Sequence, residues 1–316
     1  MATTVFFALC SPVESLMKIP DIKQRTEKAY DLLKNCSVCP RKCGVNRLNG
    51  QRGICGVGKN PQVSSYNVHF GEEPPISGTR GSGTIFFSNC NLRCIYCQNF
   101  PISQLGNGSE VTARDLARMM ISLQSRGCHN VNLVTPSHVV PQILEALSFA
   151  WEMGFDLPLV YNSSGYDSVE ALRLLEGVID VYLPDMRYSD NRTAKRLSSA
   201  DDYVEINRDA IREMHRQVGN LVVDEQGIAQ KGLLIRHLVL PHDLAGSQRT
   251  FRFIREEISP EVYVSLMGQY FPSFKASEDV SINRKITREE YELAKESFFE
   301  SGLASGWMQE NRSSGE

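Results

Sequence analysis

Apolar positions change rhythm near residue 83. From there, short apolar runs alternate with longer segments in which apolar residues recur every three or four positions. The runs are "TIFFS" (84–88), "NVNLVT" (130–135), "LPLVYNS" (157–163), "VIDVYLP" (178–184), "LLIRHLVLP" (233–241) and "VYVSLM" (262–267). The segments between them include "TARDLARMMISLQSRG" (112–127) and "SHVVPQILEALSFAWEMG" (137–154), with Ser137 placed to cap the start of the latter and Gly154 its end. Six strands alternating with helices predict a parallel sheet, because right-handed crossovers carry the helices outside it. A partial (β/α)6 TIM-like barrel fits that count, and a doubly wound open sheet is the alternative. Before residue 80 the chain is rich in Gly, Pro, Asn and Cys with little periodicity, so a metal or a packed neighbour must hold it. The expected organisation is an N-terminal extension over 1–29, a cysteine-rich metal-binding segment over 30–80, the barrel over 81–275, and a C-terminal helix and tail over 276–316.

Composition narrows the function classes. The 316 residues are 41% hydrophobic and 22% charged, as in ordinary globular proteins, and can bury a full core. A net charge of −3 gives no electrostatic case for a nucleic-acid partner, whose binder would carry a basic footprint. The opening "MATTVFFALCSPVESLM" has a short apolar run but no basic flank and no stretch of membrane-spanning length, which predicts a loosely ordered start on a cytoplasmic protein. "QENRSSGE" reads as a frayed tail.

The nine cysteines fall into two sets and two singles. Cys128 precedes a β-branched run and suits a buried small hydrophobe; Cys10 stands alone. An odd count at ligand-like spacings points to metal coordination rather than a disulfide framework. "FFSNCNLRCIYCQNF" places Cys90, Cys94 and Cys97 on one loop after the first barrel strand, the edge where α/β sheets assemble chemistry. Three thiolates on one short loop suit three corners of a cubane iron–sulfur cluster, with the fourth iron left open. A structural zinc would call for a fourth Cys or His nearby, and none follows. The earlier set, Cys36-x2-Cys39-x3-Cys43-x11-Cys55, supplies four soft ligands with Pro40, Gly44, Gly53 and Gly56 to wrap the backbone. It suits a structural zinc and a second iron–sulfur cluster alike. Gly53-x4-Gly58-Lys59 only approximates a phosphate loop, since Asn60 replaces the required Ser or Thr. "GTRGSG" (78–83) precedes a strand rather than following one, so it is no dinucleotide fingerprint and reads as a flexible approach to the barrel.

C-x3-C-x-[aromatic]-C, carried by Cys90, Cys94, Tyr96 and Cys97, resembles the signature of the radical S-adenosylmethionine superfamily. "GTIFFSNCNLRCIYCQN" is similar to the branch containing pyruvate formate-lyase activating enzyme and its relatives, over about residues 30 to 300. The resemblance implies a [4Fe-4S] cluster whose open iron chelates the amino and carboxylate groups of S-adenosylmethionine, with Tyr96 near the adenine. One electron would then break the sulfonium C–S bond, giving a 5′-deoxyadenosyl radical that abstracts hydrogen. It further implies a low-potential electron donor of flavodoxin or ferredoxin type and a protein or peptide substrate. Where the superfamily often has Gly-Gly-Glu for the amino group, this chain has "VTPSH", with Thr135, Ser137 or His138 as substitutes. Asn162 and Ser164 would meet ribose or carboxylate oxygens, and Asp185 stands where the activating enzymes carry an acidic residue. The mouth would be lined by His138, Arg236 or His237, Gln269 and Tyr270. Alternation lets only one of Arg236 and His237 point inward.

Plainer readings stand beside these. Ser137 and Asp185 also suit a cap or a turn, and His237 a hydrogen-bonded core histidine. Many activating enzymes carry their extra cysteines after the C-x3-C-x2-C loop, whereas here they precede it. Modification of a small molecule or RNA, and a non-catalytic iron–sulfur or zinc carrier or scaffold, remain the alternative functions.

Overall fold

The computed structural model describes residues 19–309. The N-terminal stretch with Cys10 and the tail from Glu310 onward lie outside the described residues. In chain order the elements are α1 (Ile22–Asp31), β1 (Gln62–His69), α2 (Pro74–Ser77), β2 (Ser82–Phe87), α3 (Phe100–Ser103), β3 (Ser109–Glu110), α4 (Ala113–Ser125), β4 (Val131–Val134), α5 (Val140–Glu152), β5 (Leu159–Ser163), α6 (Val169–Leu174), β6 (Val181–Pro184), α7 (Asn191–Ser198), α8 (Tyr203–Val218), β7 (Val222–Val223), β8 (Ala229–Leu238), α9 (Ser247–Phe253), β9 (Tyr263–Met267), α10 (Arg288–Glu300) and β10 (Gly306–Met308).

All six expected strands form, as β2, β4, β5, β6, β8 and β9, and each neighbouring pair is parallel. Their spatial order follows their order in sequence without reversal. Right-handed crossovers in an unreversed order put every helix on one face, which makes a partial barrel and excludes the doubly wound sheet, whose order turns back at a switch point. The sheet does not close: β3 ends one edge and β10 the other.

Both faces of the strands are buried, and alternation sorts them. Ile85, Leu133, Tyr161, Leu233, Ile235 and Val264 pack in the main core with helix residues such as Leu116, Met120 and Ile143. Val160, Leu183 and Leu234 join Ile76 of α2 in a smaller cluster. The inner face is therefore floored by the segment between β1 and β2. Helix α4 starts with a capping box in which Thr112 and Asp115 satisfy each other's backbone N–H groups. Gly154, at φ +86°, lets the chain leave α5 as expected.

Three details depart from the sequence reading. Ser137 does not cap α5: the N-cap is Val139, which makes no side-chain cap bond. The fifth barrel strand starts earlier and stops earlier than 233–241, because its first residues pair with β7 and the chain turns at Pro241. Strand β1 arises in a stretch without periodicity; its exposure is irregular, and antiparallel pairing with β2 from Val63↔Phe87 to His69↔Ser82 holds it. No described helix is long and apolar enough to cross a membrane.

Candidate functional site

The loop after β2 is built to present sulfur. Asn89 adopts φ +70°, turning the chain out of the strand, and the Leu92 N–H donates to Cys90 Sγ at 3.4 Å. The loop then lies along the end of α7, with Arg93 N on the Ser198 carbonyl and Ile95 N on the Leu197 carbonyl. Cys90 and Cys94 are buried and Cys97 half-buried, with no disulfide among the described residues. The Ser198 hydroxyl donates to Cys94 Sγ at 3.0 Å, Arg187 Nη1 approaches the same sulfur at 3.7 Å, and Cys97 Sγ lies 3.0 Å from Ser103 Oγ. Tyr96, Tyr188 and Ser198 form a buried hydroxyl chain, 2.6 Å at each step, that ends on Cys94.

Burial favours the protonated thiol at Cys90 and Cys94. Burial first, then the neighbouring Cys94, pushes Cys90 up to about 12. Burial also raises Cys94, with Arg187 opposing. A bound cation reverses that balance, because coordination takes the thiolate.

The cavity beside Cys97 encloses about 160 Å³ and is lined by Tyr96, Cys97, Gln98, Asn99, Asp185, Arg187, Arg236, Leu238, Met267 and Gln269. Its charged groups form one network. Asp185, just past β6, accepts from Arg236 Nε at 2.8 Å and pairs with Arg187 through its other oxygen. Arg236 also reaches Asn162 Oδ1 at 2.7 Å and Glu72 at 3.5 Å. Burial works against both guanidinium charges, yet Asp185 and the groups around it hold both arginines charged. Glu72 and Glu73, from the floor segment, are raised by burial with Arg236 pulling the other way.

The predicted residues separate on this frame. Asp185, Arg236, Gln269 and Tyr96 line the cavity, and Asn162 joins its network. Ser164 is buried nearby with its hydroxyl unpartnered, while its carbonyl accepts from Tyr203. Thr135 is half-buried at the end of β4. Ser137 is buried against Asp167 and Tyr161, in a cluster where Asp167 accepts from Tyr161 at 2.8 Å and Ser163 at 2.6 Å. His138 is fully buried with Nε2 on the Ser88 carbonyl, and it does not line the cavity. Arg236 takes the inward position, so His237 faces the helices, bonded to the Met186 carbonyl and Ser247 and edge-on to Phe251. Tyr270 is buried, its hydroxyl on the Ile282 carbonyl and its ring edge-on to Tyr96. The sequence reading missed Glu72 and Arg187. The signal for Arg187 was its place two residues beyond Asp185; Glu72 lies in a Gly- and Pro-rich stretch that carries no periodicity.

The N-terminal cysteines come together through tight backbone turns. Cys36 and Val45 pair through Cys36 N on the Val45 carbonyl, and Gly44 N returns to the Cys36 carbonyl. A Cβ at Gly53 would stand 2.8 Å from both Cβ and Sγ of Cys43, so only glycine allows this approach. The Ile54 N–H donates to Cys43 Sγ at 3.4 Å. Burial raises Cys39, and Cys55, Cys36 and Cys43 each add to it, which places the four thiols within mutual range. Arg47 is fully buried beside them; its side chain donates to the carbonyls of Gly58 and His138, and Nη2 has no partner among the described residues. A buried cation served only by carbonyls calls for negative charge nearby, and a metal–thiolate group supplies it. Among the described residues no group of three or more His, Cys, Asp or Glu side chains is placed to hold a single metal ion, so the fit rests on donor chemistry: soft sulfurs, N–H groups aimed at them, and a counter-charge.

No family model matches the chain. It is 35% identical over 282 residues to the uncharacterized protein MJ0674 of Methanocaldococcus jannaschii, covering 86% of this chain and 76% of that one. It is 26% identical over 166 residues to the uncharacterized protein MJ0808 of the same organism, covering 47% of this chain and 48% of that one. Among solved structures it is similar to HydG, a maturase of the [FeFe]-hydrogenase, with TM-score 0.50 and 14% identity over 91% of this chain and 62% of that one. The chain thus spans about half of MJ0808 and less than two thirds of HydG. The likeness to HydG is one of fold, an open partial barrel. By its identity to MJ0674 over most of both sequences, the chain belongs to the family of that archaeal protein.

Proposed function

We propose that the protein is a radical S-adenosylmethionine enzyme whose cluster is held by Cys90, Cys94 and Cys97. The observation that carries this reading is three thiols on one loop at the carboxyl end of β2, beside a cavity whose lining has no other Cys or His among the described residues. When bound, the cluster supplies the electron that splits S-adenosylmethionine to methionine and a 5′-deoxyadenosyl radical, which takes hydrogen from a substrate.

The chain's own groups have defined tasks in this reading. The Ser198 hydroxyl and Arg187 hold the Cys94 sulfur. Arg187 and Arg236 face the cavity as fixed cations for a carboxylate, with Asp185 between them setting their planes. Asn162 and Ser164 stand by as ribose or carboxylate partners, and Tyr96 closes one wall. Cys36, Cys39, Cys43 and Cys55 hold a zinc ion or a second iron–sulfur cluster, with Arg47 balancing its charge. The open edges of the sheet suit a substrate as large as a peptide or protein segment, as in the glycyl-radical activating enzymes. A flavodoxin- or ferredoxin-type donor would supply the electron in the cytoplasm.

The test is anaerobic reconstitution, strong reduction and assay of 5′-deoxyadenosine. Wild type should form it and Cys94→Ala should not. A protein that takes up iron at this loop yet never cleaves S-adenosylmethionine would be an electron carrier instead.

A further inference from the structure

One arginine from each cysteine loop enters the backbone of the other loop. Arg41, between Cys39 and Cys43, donates through Nε to the Asn91 carbonyl at 2.7 Å and through Nη2 to the Ser198 carbonyl at 3.2 Å, with Nη1 on the Ser199 carbonyl. Asn91 follows Cys90 directly, and the Ser198 hydroxyl is the donor to Cys94 Sγ. The guanidinium also lies over the Tyr166 ring, 5.2 Å from its centroid, and the Tyr166 carbonyl accepts from Asn91 Nδ2 at 2.6 Å. In the other direction, Arg93, between Cys90 and Cys94, donates to the carbonyl of Ile54, the residue before Cys55.

We propose that this reciprocal clasp couples the two cysteine sets, so that filling the N-terminal quartet tightens the hold of Cys90, Cys94 and Cys97 on iron, with Arg41 and Arg93 as positioning residues. The inference rests on the reading that the three-cysteine loop carries a cluster. A guanidinium presents its donors in a rigid fork, so Arg41 cannot follow a shifted quartet loop and still serve Asn91, Ser198 and Ser199. Releasing those carbonyls frees the backbone next to Cys90 and the hydroxyl that serves Cys94. An unfilled quartet therefore leaves the three-cysteine loop less ordered, and ordering it becomes a cost of loading iron. Linkage makes the effect reciprocal: each set changes the other's affinity by the same factor, about 5- to 150-fold for couplings of this kind.

A purely structural role for the arginines would lower stability without moving iron affinity, and that separates the readings. The full chain, loaded anaerobically with iron and sulfide, is challenged with a chelator. Iron at the three-cysteine loop is followed by the electron paramagnetic resonance signal that changes on adding S-adenosylmethionine. Cys43→Ser, which weakens the quartet and leaves both clasp arginines in place, should lower retention of that iron about 10-fold, and Arg41→Ala should do the same. The double variant should add little to either, and Arg41→Lys should recover part of the loss. If Arg41→Ala does not fold by circular dichroism, Arg93→Ala carries the same comparison. Folded Cys43→Ser and arginine variants that keep wild-type retention and an unchanged signal would overturn the coupling. A wild type with no signal responsive to S-adenosylmethionine would instead remove the parent reading, and the coupling with it.

Discussion

Replacing His138 with glutamine should remove a defined part of the protein's acid sensitivity. The imidazole is fully buried, with Nε2 3.2 Å from the Ser88 carbonyl. Burial first, and the positive charge of Arg47 second, push its pKa down to about 3. In the unfolded chain a histidine titrates near 6.5, so on acidification the unfolded state takes the proton first. The stability tied to neutral His138 is complete above about pH 6.5 and is lost as the pH falls toward about 3. Integrating the linkage relation between about pH 7 and about pH 5.5 gives a loss of about 1.3 kcal/mol from this one group. A glutamine amide can still donate to the Ser88 carbonyl and does not titrate. Urea unfolding of both proteins at the two pH values, under anaerobic reducing conditions, isolates the term, because every other titrating group cancels in the difference. The stability gap between wild type and variant should move by about 1.3 kcal/mol in the variant's favour on going to the lower pH. A gap that stays constant would refute the buried neutral state. Loss of S-adenosylmethionine cleavage in the variant, with no change in pH dependence, would put His138 at the cofactor after all.

Two further changes probe the charged and cysteine-rich parts. Asp185→Asn leaves Arg236 and Arg187 without their shared carboxylate in a buried site, and should cost about 3 kcal/mol in chemical denaturation; a loss within experimental error would show that Glu72 alone serves Arg236. Cys39→Ser removes one of the quartet's proposed ligands, and since a structural metal contributes on the order of 10 kcal/mol, the variant should aggregate or lose most of its stability. Metal analysis of a Cys90, Cys94 and Cys97 triple variant then identifies the quartet's occupant as zinc or iron, and normal stability with neither metal would abolish that site.

The six barrel strands were legible because each is a short apolar run buried on both faces, and burial is what an apolar run encodes. Cysteine spacing was legible for a similar reason: ligands on one loop are local, and their separation is written in the chain. Ser137 and His138 lie outside the cavity lining because sharing a strand end does not fix direction. The turn after β4 sends Ser137 to Asp167 and His138 beneath the Cys-rich segment.

Alternation along β8 established that Arg236 and His237 face opposite ways, but only the curvature of the sheet decided which face was the interior. Strands β1 and β10 show no pattern of their own. They exist through backbone pairing with β2 and β9, and at Gly306 the partner backbone comes so close that a Cβ would stand 2.2 Å from the Val264 carbonyl oxygen. Glu72, Asp185, Arg187 and Arg236 lie up to 164 residues apart: the parallel strands β6 and β8 bring Asp185, Arg187 and Arg236 together, and the floor segment between β1 and β2 brings Glu72 to them. The sequence by itself determined the six barrel strands, their order and the local cysteine sets, since these depend on short-range periodicity and spacing. Which charges pair, which of Arg236 and His237 faces inward and how the two cysteine loops clasp were decided by the tertiary structure, because those contacts depend on the register and curvature of a sheet assembled from distant segments.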